Sequence, residues 1–288
     1  MDTRVMIILF SEREEANVLA GFGNAFQVFA QLESQFSLYR DDSELVSLNK
    51  NAGTKMKVSP LMFQVIEDAV KMAYETHGIF NPLVGCYTAP LVGKFSDVID
   101  YSIIELDSSQ QTVKIPIATA LDLNSVVKGL ALDLAVKCFP GNEKVMIEAG
   151  GDIRVLGDVL GNSGWKVGIR NPADPTKIVT VLELSEGAIC TSGNYFRGEK
   201  AQEKGRLHLV APKFLAKNSV KSMTVIAPTA QEADILSTAA FLMPIVQAIE
   251  FVEKHFRASC LIIDAEELIY MSPRMQNYFN TSTSLCLN

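Results

Sequence analysis

The segment QEADILSTAAFLM, residues 231–243, combines an apolar helical pattern with two polar residues on one face. Asp234 and Thr238 are one turn apart in a helix of about 3.6 residues per turn, which places their Cβ atoms about 5–6 Å from each other. The residues around this pair are apolar. A buried carboxylate without a partner costs several kcal/mol, so we expect a nearby group to compensate Asp234.

Apolar periodicity on both sides of this segment predicts further helices and many short strands. The predicted helices cover residues 14–36, 59–78, 124–139 and 230–256, the last continuing past Pro244. The predicted strands and hairpins cover residues 4–10, 101–115, 144–158, 165–172, 178–184, 187–193, 206–212, 222–229 and 259–272. Ser59 and Thr229 are the expected N-caps, Pro60 a first helical residue and Gly78 a helix end.

Mixed helices and antiparallel hairpins predict an α+β fold, with largely antiparallel strands and packed helices. We expect a single unit over residues 1–288 because no linker rich in Pro, Gly or Ser interrupts the chain. A helix followed by a hairpin occurs twice, around residues 124–157 and 231–272. This weak repeat suggests an internal duplication, and a two-lobed unit is the alternative.

The composition is typical of a globular protein and argues against a nucleic-acid-binding function. The net charge is −7 and no basic stripe is present, so an anionic ligand would need a metal ion or a helix N-terminus. The cysteines have no zinc-binding spacing and are expected to be free thiols in a reducing compartment. They are Cys86, Cys138, Cys190, Cys260 and Cys286. Without a signal peptide or a transmembrane segment in the sequence, we expect a cytoplasmic protein, with a trimmed exported or membrane-anchored form as the alternative.

Two segments contain residues suited to bind a metal ion and phosphate. Asp234 and Thr238 offer the hard oxygen ligands that Mg²⁺ prefers, at a helix whose N-terminus favours phosphate. The alternative is an Asp paired with Lys or Arg and a Thr bonded to its own helix. In LDLNSVVKG, residues 121–129, Ser125 offers an oxygen and Lys128 a cation; the alternative is a plain helix cap with a solvated Lys.

Other motif searches favour structural roles. EAGGDIRVLG, residues 148–157, lacks the GxGxxG spacing of a dinucleotide fold and is more typical of a hairpin turn. His208 alternates with leucines in a predicted strand, where it either faces a cleft or is structural.

Taken in order, however, several segments resemble the ApbE-like family of FAD:protein FMN transferases over nearly the full length. MDTRVMIILF at residues 1–10 is similar to the family's opening Met-Gly-Thr strand, with Asp2 in place of glycine. FSLYRDDSELVSLN at 36–49 resembles its Ser-x-Tyr and Ser-Glu-x-Ser-x-Leu-Asn signature, and HGIFNPLVG at 77–85 its Gly-x-Phe-Asp-x-x-Val-Gly turn. Five more matching segments lie at residues 121–133, 148–157, 188–195, 208–212 and 225–241.

The resemblance implies Mg²⁺-dependent transfer of FMN from FAD to a Thr or Ser hydroxyl of a partner flavoprotein, with release of AMP. It implies Ser125, Asp234 and Thr238 as metal ligands and His208 as the general base that activates the acceptor hydroxyl. The residues that it implies as FAD contacts are Met1, Tyr39, Ile79, Phe80, Asn81, Asp122, Lys128 and Leu209.

The sequence departs from the family pattern near the flavin and acceptor sites. Ala211 replaces an Asp, Phe214 and Leu215 replace Thr-Gly, and Asn81 replaces the Asp of the Phe-Asp turn. The loop after Gly85 is short and lacks the usual Trp-Gly-Phe segment. These departures keep a catalytically impaired FAD-binding paralogue open as an alternative. A Mg²⁺-dependent FAD pyrophosphatase giving FMN and AMP is a second alternative. A protein that binds no flavin is a third, against which the preserved Ser125, Lys128, Asp234 and Thr238 argue.

Overall fold

The computed structural model describes residues 3–85, 99–141, 143–159, 164–193 and 219–279. The strands are β1 (Val5–Phe10), β2 (Met56–Lys57), β3 (Glu105–Asp107), β4 (Thr112–Lys114), β5 (Lys144–Ala149), β6 (Asp152–Leu156), β7 (Trp165–Arg170), β8 (Ile178–Leu184), β9 (Glu186–Gly193), β10 (Val220–Ala227), β11 (Ser259–Asp264) and β12 (Ile269–Met271). The helices are α1 (Glu15–Phe36), α2 (Glu44–Lys50), α3 (Pro60–Glu75), α4 (Asn124–Val136), α5 (Ala230–Phe241) and α6 (Ile245–Glu253). Short 3-10 helices lie at Tyr101–Ile103 and Pro273–Tyr278.

These elements divide into two compact units. Among the described residues, the first unit comprises 29–127 and the second comprises 3–28, 128–193 and 219–279, with the gaps given above. The expectation of a single domain over residues 1–288 stays a prediction, as does the internal duplication. In the described ranges, no helix is long and apolar enough to cross a membrane.

A seven-stranded antiparallel sheet forms the centre of the second unit. Its strand order is β1-β5-β6-β9-β10-β11-β12, and every neighbouring pair is antiparallel. The hairpins predicted at residues 144–158 and 259–272 are confirmed as β5–β6 and β11–β12. The hairpin predicted at residues 101–115 is confirmed as β3–β4 in the three-stranded sheet. Gly150 and Gly151 make the β5–β6 turn with φ of +61° and +94°, values that residues with a side chain rarely adopt. The β7–β8 ribbon packs on one face of this sheet, where it buries Trp165, Val167 and Leu182 against Ile189 and Leu261.

Helix α5 is almost entirely buried, so its apolar pattern is explained by packing. Thr229 is its N-cap, as predicted, and accepts a hydrogen bond from the Glu232 amide at 3.2 Å. The predicted continuation past Pro244 is wrong. Helix α5 ends at Phe241, and Pro244 has an extended ψ of 145° before α6 begins. Proline lacks an N–H donor and disfavours a helical residue before it, which separates the two helices.

The first unit contains the end of α1, helices α2 and α3, and a small sheet of order β2-β4-β3. Helix α3 confirms its predicted signals, because Ser59 caps it, Pro60 is its first residue and Gly78 follows it with φ of +81°. Helix α2 is absent from the predicted elements because its seven residues are too few for a clear periodic pattern. The cysteines in the described residues, Cys138, Cys190 and Cys260, are free thiols, as expected.

A close approach between α4 and α5 depends on Gly129. A Cβ added there would lie 2.2 Å from the Ala230 carbonyl oxygen, well inside contact distance. Gly129→Ala should therefore lower the free energy of unfolding by about 1–3 kcal/mol, as overpacking does elsewhere. Urea unfolding measures this loss. Gly23→Ala is the matched control, since an added Cβ meets nothing within 4 Å and alanine favours a helix. Equal effects of the two substitutions would contradict the prediction.

Candidate functional site

A group of buried charges lies where α4, α5 and the central sheet meet in the second unit. The carboxylate of Asp234 on α5 accepts a hydrogen bond from the Gly129 amide at 3.0 Å, and its other oxygen is 3.6 Å from Lys128 Nζ. Lys128 Nζ also forms a short ion pair with Asp152, the first residue of β6. Asp152 in turn accepts a hydrogen bond from the Thr191 amide at 3.0 Å. The expected compensation of Asp234 is thus confirmed.

The two carboxylates determine the protonation of Lys128. Burial alone lowers the pKa of an ammonium group, but the charges of Asp152 and Asp234 outweigh it and raise the pKa of Lys128 above its ordinary value. Lys128 therefore stays charged at neutral pH. The alternative of a solvated lysine is wrong, because this side chain is largely buried and ion-paired.

Asp234 behaves differently because one lysine serves two acids. Burial raises the pKa of Asp234 to about 8, although Lys128 and the Gly129 amide oppose the shift. Two ionised carboxylates and one ammonium group would leave a net negative charge in a buried site. A bound cation would remove that deficit, so the charge balance and the hard oxygen donors of this site fit a divalent metal ion.

Hydroxyl groups line the next turn of α5. Thr238 Oγ1 lies 3.2 Å from Ser192 Oγ on β9, and Ser192 Oγ lies 2.9 Å from Ser237 Oγ. The hydroxyl of Ser237 donates to the Asp234 carbonyl at 3.0 Å. Thr238 thus has a side-chain partner on the neighbouring strand, and Ser192 and Ser237 are polar neighbours that the sequence analysis did not single out.

The N-terminus of α5 is occupied by the protein's own carboxylate, which contradicts the expectation that it points at a bound phosphate. The amides of Ala230 and Gln231 donate to Asp133 at 2.9 and 2.8 Å. Arg154 Nε donates to the same carboxylate at 3.1 Å. Phosphate binding would thus rely on cations, since the first amides of α5 are already paired.

Several predicted FAD contacts lie in the first unit, and three of them, residues 79–81, form a turn. The Asn81 side chain donates to the Ile99 carbonyl at 3.2 Å and accepts from the Leu83 amide at 3.0 Å. The Phe80 side chain is buried, so at this turn it offers only its backbone to a ligand. Tyr39 is 67% exposed and free to stack on a ring. Asp122 accepts from the Asn124 amide at 3.0 Å.

The remaining predicted residues are not brought together by described contacts. Ser125 lies in the first unit, whereas Asp234 and Thr238 lie in the second. Met1, His208, Leu209 and the departures from Ala211 to Leu215 lie outside the described residues, as does the short loop at 86–98. Within the described ranges, no three His, Cys, Asp or Glu side chains cluster as a metal site, so a metal ion here would depend on hydroxyl or carbonyl oxygens. The site residues stay predictions.

Comparison with known proteins decides the family. A model described as the ApbE family matches residues 1–262. The chain belongs to the ApbE family. Among curated members, the FAD:protein FMN transferase of Treponema pallidum is 27% identical over 309 residues, covering 91% of this chain and 85% of that protein. The enzyme of the same name from Haemophilus influenzae is 26% identical over 263 residues, covering 82% of this chain and 76% of that protein.

Solved ApbE structures have the same fold. The ApbE protein of Thermotoga maritima superposes with a TM-score of 0.81 at 22% identity, covering 96% of each chain. The flavin transferase ApbE of Vibrio cholerae superposes with a TM-score of 0.79 at 22% identity, covering 97% of this chain and 96% of that one. The predicted α+β fold is confirmed.

The raised pKa of Asp234 predicts that the metal-free fold loses stability as the pH rises from the ordinary aspartate value towards about 8. In this window folded Asp234 holds a proton that the unfolded chain has lost, and stability falls where the folded state binds more protons. Lys128 adds no slope there, because its raised pKa matters only at higher pH. Asp234→Asn should therefore give a shallower dependence, measured by urea unfolding with EDTA between about pH 5 and 8.

The matched control for this titration is Asp41→Asn, since the Asp41 side chain is 97% exposed. It should keep the slope of the unmodified protein. Identical slopes for the unmodified protein and Asp234→Asn would contradict the assignment of the titrating group.

Proposed function

We propose that this chain is a FAD:protein FMN transferase that uses Mg²⁺, modifies a Thr or Ser hydroxyl of a partner flavoprotein and releases AMP. Membership of the ApbE family supports the activity, since the relatives from Treponema pallidum and Haemophilus influenzae carry that name. The observation that carries the proposal is the buried Asp234 carboxyl group, which is one turn from Thr238 and shares its only ammonium partner among the described contacts, Lys128, with Asp152.

In this proposal Asp234 and Thr238 hold the metal ion, with an oxygen of Ser125 as the further ligand implied by the family resemblance. The ion would supply positive charge to the pyrophosphate oxygens of FAD during phosphoryl transfer. A cation beside Asp234 would also relieve Lys128 of one of its two carboxylates. Its ammonium group could then attract a ligand phosphate while Asp152 keeps it in place.

The proposed reaction exchanges one phosphorus–oxygen bond for another. The acceptor hydroxyl oxygen forms a bond to the FMN phosphorus, the bond from that phosphorus to the bridging oxygen breaks, and AMP leaves with that oxygen. His208 takes the hydroxyl proton. Asp122, Tyr39, Met1, Leu209 and the 79–81 turn orient FAD. If water replaces the acceptor hydroxyl, the same exchange makes the protein a pyrophosphatase.

The test is to incubate purified protein with FAD, MgCl₂ and a flavoprotein fragment containing an acceptor Thr, then measure AMP and the mass of the fragment. Transfer gives AMP together with a fragment heavier by one FMN group. Equal amounts of AMP and free FMN, with an unmodified fragment, would identify a pyrophosphatase instead. Bound FAD without AMP would identify an impaired paralogue, the alternative that Ala211 keeps open. A protein that binds no FAD would overturn the proposal.

Asp234→Ala should reduce Mg²⁺-dependent turnover by at least about a hundredfold, because it removes the charged ligand of the proposed metal site. The fold should persist, since the substitution also removes a carboxylate that is costly to bury. Turnover across a Mg²⁺ titration and the circular dichroism spectrum measure the two effects. Glu232→Ala on the same helix, pointing to a different face, is the control and should retain turnover. Full activity of Asp234→Ala at limiting Mg²⁺ would refute the ligand assignment.

A further inference from the structure

The side chain of Asn49 pairs with a backbone segment 72 residues away. Asn49 lies in α2 with 7% of its surface exposed, and it ends the SELVSLN segment that matches the family signature. Its Nδ2 group donates to the Leu121 carbonyl at 3.0 Å, and its Oδ1 atom accepts from the Leu121 amide at 2.8 Å. The carboxamide therefore satisfies both backbone groups of Leu121, as a neighbouring strand would.

The backbone groups on both sides of Leu121, at Ala120 and Asp122, are also hydrogen-bonded. The Gly85 amide donates to the Ala120 carbonyl at 2.9 Å, and the Asp122 amide donates to the Pro82 carbonyl at 2.8 Å. Residues 120 and 122 thus bond to the chain that follows the 79–81 turn, while Leu121 bonds to Asn49. All these contacts lie within the first unit.

Two other polar residues of the SELVSLN segment, Ser43 and Glu44, stabilise the starts of helices and do not contact Leu121. The hydroxyl of Ser43 caps α2 by accepting from the Val46 amide at 3.0 Å. The Glu44 carboxylate accepts from the Ser59 amide at 2.6 Å and so supports the start of α3. Only Asn49, among these three, binds the segment that leads into Asp122.

We propose that Asn49 is a positioning residue for flavin binding: it fixes the backbone of Leu121 and thereby the position of Asp122 relative to the 79–81 turn. This inference rests on the proposed function, in which Asp122 and the turn contact FAD. Removing the carboxamide leaves a buried N–H and C=O at Leu121 unpaired, which is costly, and a segment outside regular secondary structure relieves that cost by moving. The movement would displace Asp122.

The test compares FAD affinity among variants of the full chain, using flavin fluorescence, which needs no turnover. Asn49→Ala should raise the Kd for FAD about tenfold, as expected when a positioned contact is lost. At saturating FAD its kcat should stay within about threefold of the unmodified value, because the reacting groups are unchanged. Hydrogen exchange of the Leu121 amide should become faster. If Asn49→Ala does not fold, Asn49→Gln keeps the donor and the acceptor on a longer side chain, and it should also raise the Kd for FAD, although by less.

Two controls separate positioning from general stability. Ser43→Ala removes the cap of the same helix and a hydrogen bond to the Ser37 carbonyl, so it should cost about 1 kcal/mol of stability and should change the Kd for FAD much less than Asn49→Ala does. Asn51→Ala removes an exposed amide that bonds only locally, to the Ser47 carbonyl at 2.8 Å, and should change neither quantity.

The outcomes are distinguishable. An unchanged Kd in Asn49→Ala, or an equal rise in Ser43→Ala at a matched loss of stability, would overturn the positioning role while leaving the proposed function intact. An unmodified protein that binds no FAD would overturn the proposed function and, with it, this inference.

Discussion

The burial of the Asp234 carboxylate is the constraint on which the arrangement of the candidate site in the second unit depends. Removing a carboxylate from water is costly unless charged and hydrogen-bonding partners replace the water. Here both partners come from α4, namely the Lys128 ammonium group and the Gly129 amide, while Asp152 on β6 competes with Asp234 for the same lysine. A glycine at position 129 allows α4 and α5 to approach closely enough for that amide to reach the carboxylate. The hydrogen bonding of Asp234 therefore depends on the close packing of α4 and α5.

A second carboxylate, that of Asp133, is stabilised in a similar way at the N-terminus of α5. Asp133 accepts from the first amides of α5 and from Arg154, so a negative charge of the protein already satisfies the positive end of the helix dipole. An anionic ligand would be repelled by Asp133 and attracted to Lys128 only when another cation balances Asp234. In the proposed site, metal binding and phosphate binding would therefore be electrostatically linked.

The sequence predicts what local patterns determine and misses what distant residues determine. Helices α1, α3 and α5, the caps Ser59 and Thr229, and the Gly150–Gly151 turn follow from short-range periodicity and backbone preference. The need for a partner at Asp234 was predictable from its apolar surroundings, but its identity was not. Asp152 stands 82 residues earlier than Asp234 in the chain, and only the order of strands in the sheet brings it close. Asn49 and Asp133 each end a segment that matches the family pattern, but neither motif tells which backbone groups the side chain binds, so their roles required the tertiary contacts.

The contacts of Asn81 explain how the turn forms with Asn in place of the Asp of the family pattern. An Asp at this position could accept from the Leu83 amide, as Asn81 does, but could not donate to the Ile99 carbonyl. Asn81 therefore links Leu83 and Ile99, which come before and after the part of the sequence that is shorter than the family pattern. The substitution and the shortening are thus compatible with a formed turn. Of the departures noted in the sequence, this one gives no reason to expect lost flavin binding.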